Sequence, residues 1–123
     1  MRIIAGSARG RRIEAPPGMN TRPTLDRVKE ALFGSIQFDL PGSVVLDLFS
    51  GSGSLGLEAV SRGAKLAVLN DHDANSVRCI EKNAAATGLS ERVRILQADY
   101  RIALDRLCAE GLRFDIALLD APY

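Results

Sequence analysis

Four apolar runs recur along the chain, at residues 44–49, 66–69, 93–96 and 114–119, each of strand length and each bounded by polar or charged residues. Runs of this kind, with little polar alternation, fit strands covered on both faces of a parallel sheet. Between them, apolar positions recur at helical spacing. Leu55, Leu57, Ala59 and Val60 mark a short helix ended near Gly63, and Val77, Ile80 and Ala84 form one face of a helix predicted from Ala74 to Thr87 and stopped by Gly88. Leu104, Leu107 and Cys108 mark a helix closed by Gly111. Ahead of the first core strand, Val28, Leu32 and Ile36 predict a further helix, capped by Thr24, with Asp26 near its positive end and Pro41-Gly42 as its limit. The opening, Ile3-Ile4, a small and basic segment over 6–12, then Ile13 before Pro16-Pro17, reads as a two-stranded hairpin. The alternation βαβαβαβ predicts an α/β fold, a parallel sheet of about four core strands with helices on both faces and right-handed crossovers.

Composition adds limits. At 123 residues, 46% hydrophobic and 25% charged, the chain has room for one ordinary domain. No apolar stretch approaches the roughly 20 residues of a membrane helix, and the start lacks a signal-peptide h-region, so a cytoplasmic location without membrane attachment is expected. Cys79 and Cys108 form no Cys-x-x-Cys pair and read as inert, partly buried thiols, and nothing shows the His/Cys spacing of a metal site. The net charge of +1 is unevenly spread: residues 1–29 hold seven basic residues against Glu14 and Asp26, a local +5, and the remainder carries −4. A basic arm on a mildly acidic body suits a polyanionic partner, although a solvated surface explains charge alone equally well.

The most informative stretch joins the first core strand to its helix through Asp47-Leu48-Phe49-Ser50-Gly51-Ser52-Gly53-Ser54-Leu55-Gly56. Gly51 and Gly53 permit a sharp turn and a close backbone approach to a ligand, beside the exposed N–H groups of a helix start. The glycines match the dinucleotide fingerprint, with Asp71 as the following acid, which keeps a nicotinamide cofactor as one reading. Asp47, however, is well placed for a ligand's ammonium group, which a pyrophosphate lacks. Further acids stand where the other strands end: Asp71 and Asp73, Asp99, and Asp120. Asp73 and Asp99 each read also as helix N-caps. In a doubly wound sheet all four strand ends converge on one cleft.

The Leu-Asp-Leu-Phe-Ser-Gly-Ser-Gly stretch resembles motif I of the Rossmann-like S-adenosylmethionine-dependent methyltransferases. The resemblance implies S-adenosyl-L-methionine as cofactor, with Gly51 and Gly53 at its methionyl part, Asp47 near the ammonium, Asp71 on the ribose and Asp99 on the adenine. Phe49, Ser52, His72 and Tyr100 complete the implied cofactor set, His72 reading first as a plain surface residue. Asp120-Ala121-Pro122-Tyr123 resembles the Asp/Asn-Pro-Pro-Tyr motif of methyltransferases acting on exocyclic amino nitrogens. That likeness implies Asp120 and the Ala121 carbonyl as acceptors for the amino N–H groups, and Tyr123 as a stacking platform. Ala121 departs from the usual first proline, which removes a fixed φ.

The front of the chain, Met1–Gly6 with Arg9-Gly10-Arg11, Pro16-Pro17-Gly18 and Thr21-Arg22-Pro23-Thr24-x-Asp26-Arg27-Val28, is similar to the bacterial 16S ribosomal RNA guanine-N2 methyltransferases. This similarity implies methylation of a guanine N2 in 16S rRNA, of the position-966 type, with 16S rRNA or the 30S subunit as partner and a monomeric full-length protein. Arg9, Arg11, Arg12 and Arg22 are the implied RNA contacts. On this reading 1–22 is a basic arm and 23–123 the cofactor-binding part of a methyltransferase domain whose later strands are absent, leaving the fourth strand as an exposed apolar edge and the chain as a fragment. A binding remnant without turnover, a nicotinamide-binding fragment and a DNA amino-methyltransferase stand as alternatives.

Overall fold

The computed structural model describes residues 1–18 and 23–121, with side chains throughout except at 23–25. Its sheet contains β1 (Val44–Asp47), β2 (Leu66–Asp71), β3 (Val93–Gln97) and β4 (Ile116–Leu118), all parallel, in the order β3-β2-β1-β4. Leu46 lies opposite Val68 on one side and Ala117 on the other. The chain moves outward from β1 through β2 to β3 and then returns to the far side of β1, so the order reverses at β1. Such a reversal opens a crevice at the carboxyl ends of the strands.

Helix α1 (Pro23–Ile36) precedes the sheet, α2 (Ser54–Ser61) and α3 (Ala74–Thr87) follow β1 and β2, and α4 (Tyr100–Ala109) follows a short 3-10 turn and β3. The predicted limits of α3 hold at both ends, because Asp73 caps its start through the Asn75 N–H and Gly88 ends it at φ 72°. Thr24 falls inside α1 instead of capping it, with Pro23 in the first turn, where its missing N–H costs nothing. Strand β4 is shorter than the apolar run that predicts it; among the described residues it pairs with β1 alone, and Leu119 just beyond it is exposed.

Successive residues of the central strands serve opposite faces, as the pleat requires. Val45 and Leu69 join Leu57, Val60 and Ile80 in the larger core, on the side of α2 and α3. Leu46, Leu48, Val68 and Leu96 pack with Ala103 and Leu107 of α4 in the smaller one. Two predicted stripes shift. On α1 the buried positions are Lys29 and Phe33 while Val28 is exposed, and on α4 they are Ala103 and Leu107 while Leu104 and Cys108 are exposed. Cys108 is therefore not the partly buried thiol its place in the sequence suggests.

The predicted hairpin is reduced to one antiparallel bridge, Arg2 to Arg12, flanked by hydrogen bonds from Ile3 N to Arg11 O, Gly10 N to Ile3 O and Ile13 N to Met1 O, each 2.9 Å. Its attachment to the body compensates for the missing ladder. Ile3, Ala8 and Ile13 are buried in the larger core. Glu58, fully buried on α2, accepts the Ile4 and Ala5 N–H groups at 2.8 and 3.0 Å and pairs with Lys29 Nζ at 3.0 Å and Arg62 Nε at 2.7 Å. Burial pushes the Glu58 pKa up, but the Ile4 amide, Arg62 and Lys29 outweigh it and hold the carboxyl below its usual value. Gly6 passes so close to α2 that a Cβ there would stand 1.9 Å from the Ser61 carbonyl oxygen.

Candidate functional site

A cavity of about 1070 Å³ opens at the carboxyl ends of the strands, where the reversal at β1 places it. Gly51, Asp71, Asp99 and Asp120 all line it, so four successive strand ends contribute to one cleft. Phe49, Ser52, His72, Tyr100 and Ala121 line it as well. Pro122 and Tyr123 lie outside the described residues, as does Arg22.

The glycine turn is tied down by its own surroundings. Ser50 N donates to Asn70 O at 2.8 Å, Ser50 Oγ to Asp47 O at 2.8 Å, and Gly51 N to Asp71 Oδ2 at 2.9 Å. Gly51 has φ 57° and Gly53 φ 83°, a region that disfavours side chains. Gly53 does not line the cavity: a Cβ there would press against Leu69 and Ile80 at 3.2 Å, so packing against the sheet and α3 explains that glycine.

Asp47 also sits differently from the position implied for it. It is 1% exposed, lies under the turn and outside the cavity lining, and its Oδ2 accepts the Gly56 N–H at 3.0 Å. Its Oδ1 is buried without a hydrogen-bond partner among the described residues. Burial pushes this carboxyl up to about 7, against the opposing pull of the Gly56 N–H. The acid closes the turn onto α2 from below.

Asp71 and Asp99 keep acceptor capacity toward the cleft. Asp71 Oδ1 accepts the Asp73 N–H at 3.0 Å, and each of its oxygens has a further lone pair. Asp99 is the N-cap of α4, its Oδ1 accepting Arg101 N at 3.0 Å and Arg101 Nε at 3.1 Å. The Arg101 side chain holds its carboxyl below the usual range. Both capping readings thus hold, and for Asp99 the cap also faces the cavity. The rings of Phe49 and Tyr100 stand 5.5 Å apart at 48°, an apolar wall beside Asp99. The His72 side chain is exposed, with Nδ1 3.7 Å from Asp71 Oδ1.

Two residues of the site escape the sequence pattern. Asn70, 1% exposed, lines the cavity and donates from Nδ2 to Leu48 O at 3.2 Å and Ala98 O at 3.0 Å, joining the ends of three strands, while its Oδ1 has no partner among the described residues. A polar residue within an apolar strand run is the signal that could have found it. Lys29, also lining the cavity, is 4% exposed, a lysine at a core register of α1.

The arm meets this cleft at Met1, but its described arginines do not line it. Arg9, Arg11 and Arg12 are exposed, and Arg11 Nη1 donates to Ala86 O at 3.2 Å, near the end of α3. The cavity meets α3 at Ser76, about 15 Å away along the helix.

Similar proteins share this whole frame. The chain is 37% identical over 123 residues to ribosomal RNA small subunit methyltransferase D of Escherichia coli K12, covering all of this chain and 60% of that protein. It is 37% identical to the protein of that name from Haemophilus influenzae, covering 64% of it. A solved Escherichia coli chain superposes with a TM-score of 0.84 at 37% identity, covering 100% of this chain and 65% of that one. The C-terminal domain of precorrin-6Y C5,15-methyltransferase from Rhodobacter capsulatus, at 24% identity and TM-score 0.68, covering 89% of this chain and 54% of its own, shares the fold alone. The parallel sheet is thus that of the Rossmann-like methyltransferases, and the chain spans less than two thirds of the length of these relatives. The family model described as conserved hypothetical protein 95 matches residues 1–123, and the chain belongs to that family.

Proposed function

We propose that this chain carries the cofactor-binding and acceptor-positioning part of an S-adenosylmethionine-dependent enzyme that methylates the N2 amino group of a guanine in 16S rRNA, at position 966. The observation that carries the reading is the convergence of Gly51, Asp71, Asp99 and Asp120 on one cavity. Similarity over the whole chain to proteins named ribosomal RNA small subunit methyltransferase D supports the RNA substrate.

The donor set suits the cofactor. Asp71 offers ionised oxygens to ribose hydroxyls, and Asp99 Oδ2, without a hydrogen bond among the described residues, offers one to an adenine amino group. Phe49 and Tyr100 supply an apolar wall for a flat base. When bound, S-adenosylmethionine supplies a methyl group on a positively charged sulfur. Asp120 and the Ala121 carbonyl accept the N–H groups of the guanine amine, which localises its lone pair and points it at the methyl carbon, while Tyr123 stacks on the base. Orientation does most of this work, since the amine proton can leave after the new bond forms. Residues 1–22 grip RNA through Arg9, Arg11, Arg12 and Arg22, and residues 23–123 hold the cofactor. The setting is the cytoplasm, with a monomeric enzyme acting on 16S rRNA or the 30S subunit.

The test is transfer of labelled methyl groups from S-adenosylmethionine to 30S subunits lacking the modification, with mapping of the methylated base. Wild-type protein should label a guanine N2, and Asp120→Ala should lower the rate at least about a hundredfold while cofactor binding persists. Cofactor binding without transfer would reduce the protein to a binding module, which the alanine at position 121 favours.

A further inference from the structure

The two halves of the arm are each linked to the glycine turn through a buried side chain from a third element. Lys29 of α1 donates from Nζ to the Arg2 carbonyl at 3.1 Å, to Ser54 Oγ at 2.8 Å and to Glu58 Oε1 at 3.0 Å, using all three of its protons. Asn83 of α3, 1% exposed, accepts the Glu14 N–H at 2.9 Å and donates from Nδ2 to Glu14 O at 2.8 Å and Ser52 O at 2.9 Å. Arg2 precedes the arm's tip and Glu14 follows it, while Ser52 and Ser54 both line the cavity. The same two side chains therefore touch both the basic arm and the cleft wall.

We propose that Lys29 and Asn83 are positioning residues that fasten the arm to the glycine turn, so that RNA on the arm and cofactor in the cleft tighten each other's binding. The inference rests on the reading given under Proposed function. Its physical basis is the arm's thin backbone pairing, one bridge among the described residues, which leaves its order dependent on its apolar anchors and on bonds to the body, those of Glu58 and Ser61 at its middle and those of Lys29 and Asn83 at its two ends. A ligand that orders the turn orders Ser52 and Ser54, and through them the carbonyls of Arg2 and Glu14. RNA that orders the arm acts on the same contacts from the other side, and the second ligand meets a region already ordered. Linkage requires the effect to be reciprocal.

Calorimetric titration of the full-length protein with S-adenosylhomocysteine, which permits no turnover, in the presence and absence of saturating unmodified 16S rRNA tests this. The wild-type Kd should fall about fivefold or more when RNA is bound. In Lys29→Met and Asn83→Asp, each shown folded by thermal unfolding, that ratio should collapse toward one. A merely structural role would shift both affinities and leave the ratio standing. A wild-type ratio of one with both ligands bound overturns the proposal and spares the assigned function, as does an undiminished ratio in the folded variants. If one variant does not fold, the wild-type ratio and the other variant decide. Failure of either ligand to bind overturns the assigned function, and this proposal with it.

Discussion

Asp71 Oδ2 accepts the Gly51 N–H at 2.9 Å, so the carboxylate that faces the cleft from the end of β2 also holds the glycine turn in place. One side chain thereby shapes the cavity and offers it a charge. Asp71→Ala should weaken S-adenosylmethionine binding about ten- to a hundredfold, from the loss of hydrogen bonds to a charged acceptor worth roughly 1.5–3 kcal/mol. Asp71→Asn, which retains one acceptor oxygen, should weaken it less. Calorimetry on both variants checks the order, and unchanged affinity in a folded Asp71→Ala protein would remove Asp71 from the ligand's surroundings.

Asp47 makes stability depend on pH in the direction opposite to an ion-paired acid. Burial raises its pKa from 3.8 to about 7, so its contribution to stability is fully present below about pH 4 and is lost as pH rises through 7. Asp47→Asn removes the titration while leaving an oxygen for the Gly56 N–H. The stability of the variant relative to wild type should climb between pH 4 and 7, by on the order of 4 kcal/mol, and level off above. Urea unfolding at a series of pH values measures this, and a flat difference would mean that Asp47 is ionised throughout.

Gly6 and Gly10 share a positive φ, 89° and 84°, but differ in surroundings. Gly10→Ala meets nothing within 4 Å and should cost about 1–2 kcal/mol, the penalty of the left-handed conformation. Gly6→Ala carries the same strain and also drives its Cβ into the Ser61 carbonyl, so the arm must lift from α2 and Ile3 and Ala8 lose cover. Thermal unfolding should show the larger loss for Gly6→Ala, and equal losses would mean that the arm yields freely.

Arg9 and Arg12 stand exposed on the arm. Replacing either by alanine should weaken 16S rRNA binding about equally for any sequence and reduce the slope of log K against log salt by about 1. Filter binding across a salt series reads both effects, and an unchanged slope would assign these arginines to solvent.

The order and type of the elements after Pro41 are legible in the sequence because apolar runs, caps and glycine stops agree on where each begins and ends, as at Asp73 and Gly88, even where the stripe of α4 shifts. The stripe on α1 is hidden in the sequence because Lys29 takes a core position that its contacts with Glu58, Ser54 and Arg2 make tolerable, and no periodicity announces a partner 29 residues away. The arm's sequence reads as a ladder, whereas many of its backbone hydrogen bonds run to Glu58, Ser61 and Asn83, distant in sequence. Within the site, the convergence of Asp71, Asp99 and Asp120 followed from topology. The place of Asp47 did not, since a residue at a strand end can face the ligand or the turn, and the Gly56 N–H decides between them.

The two faces of the sheet are unequally insulated: the α2 and α3 side shares one large apolar cluster with the arm and α1, while the other side rests on α4, with Ala103 and Leu107 its two buried anchors. Local opening begins where the fewest apolar contacts must be broken. Of the helices packed on the sheet, α4 should therefore exchange its amides with solvent before α2 and α3, and it starts with Tyr100, capped by Asp99. The wall formed by Tyr100 should then be the more compliant side of the cleft, the one that adjusts to a flat group while the larger core on the opposite face of the sheet stays in place.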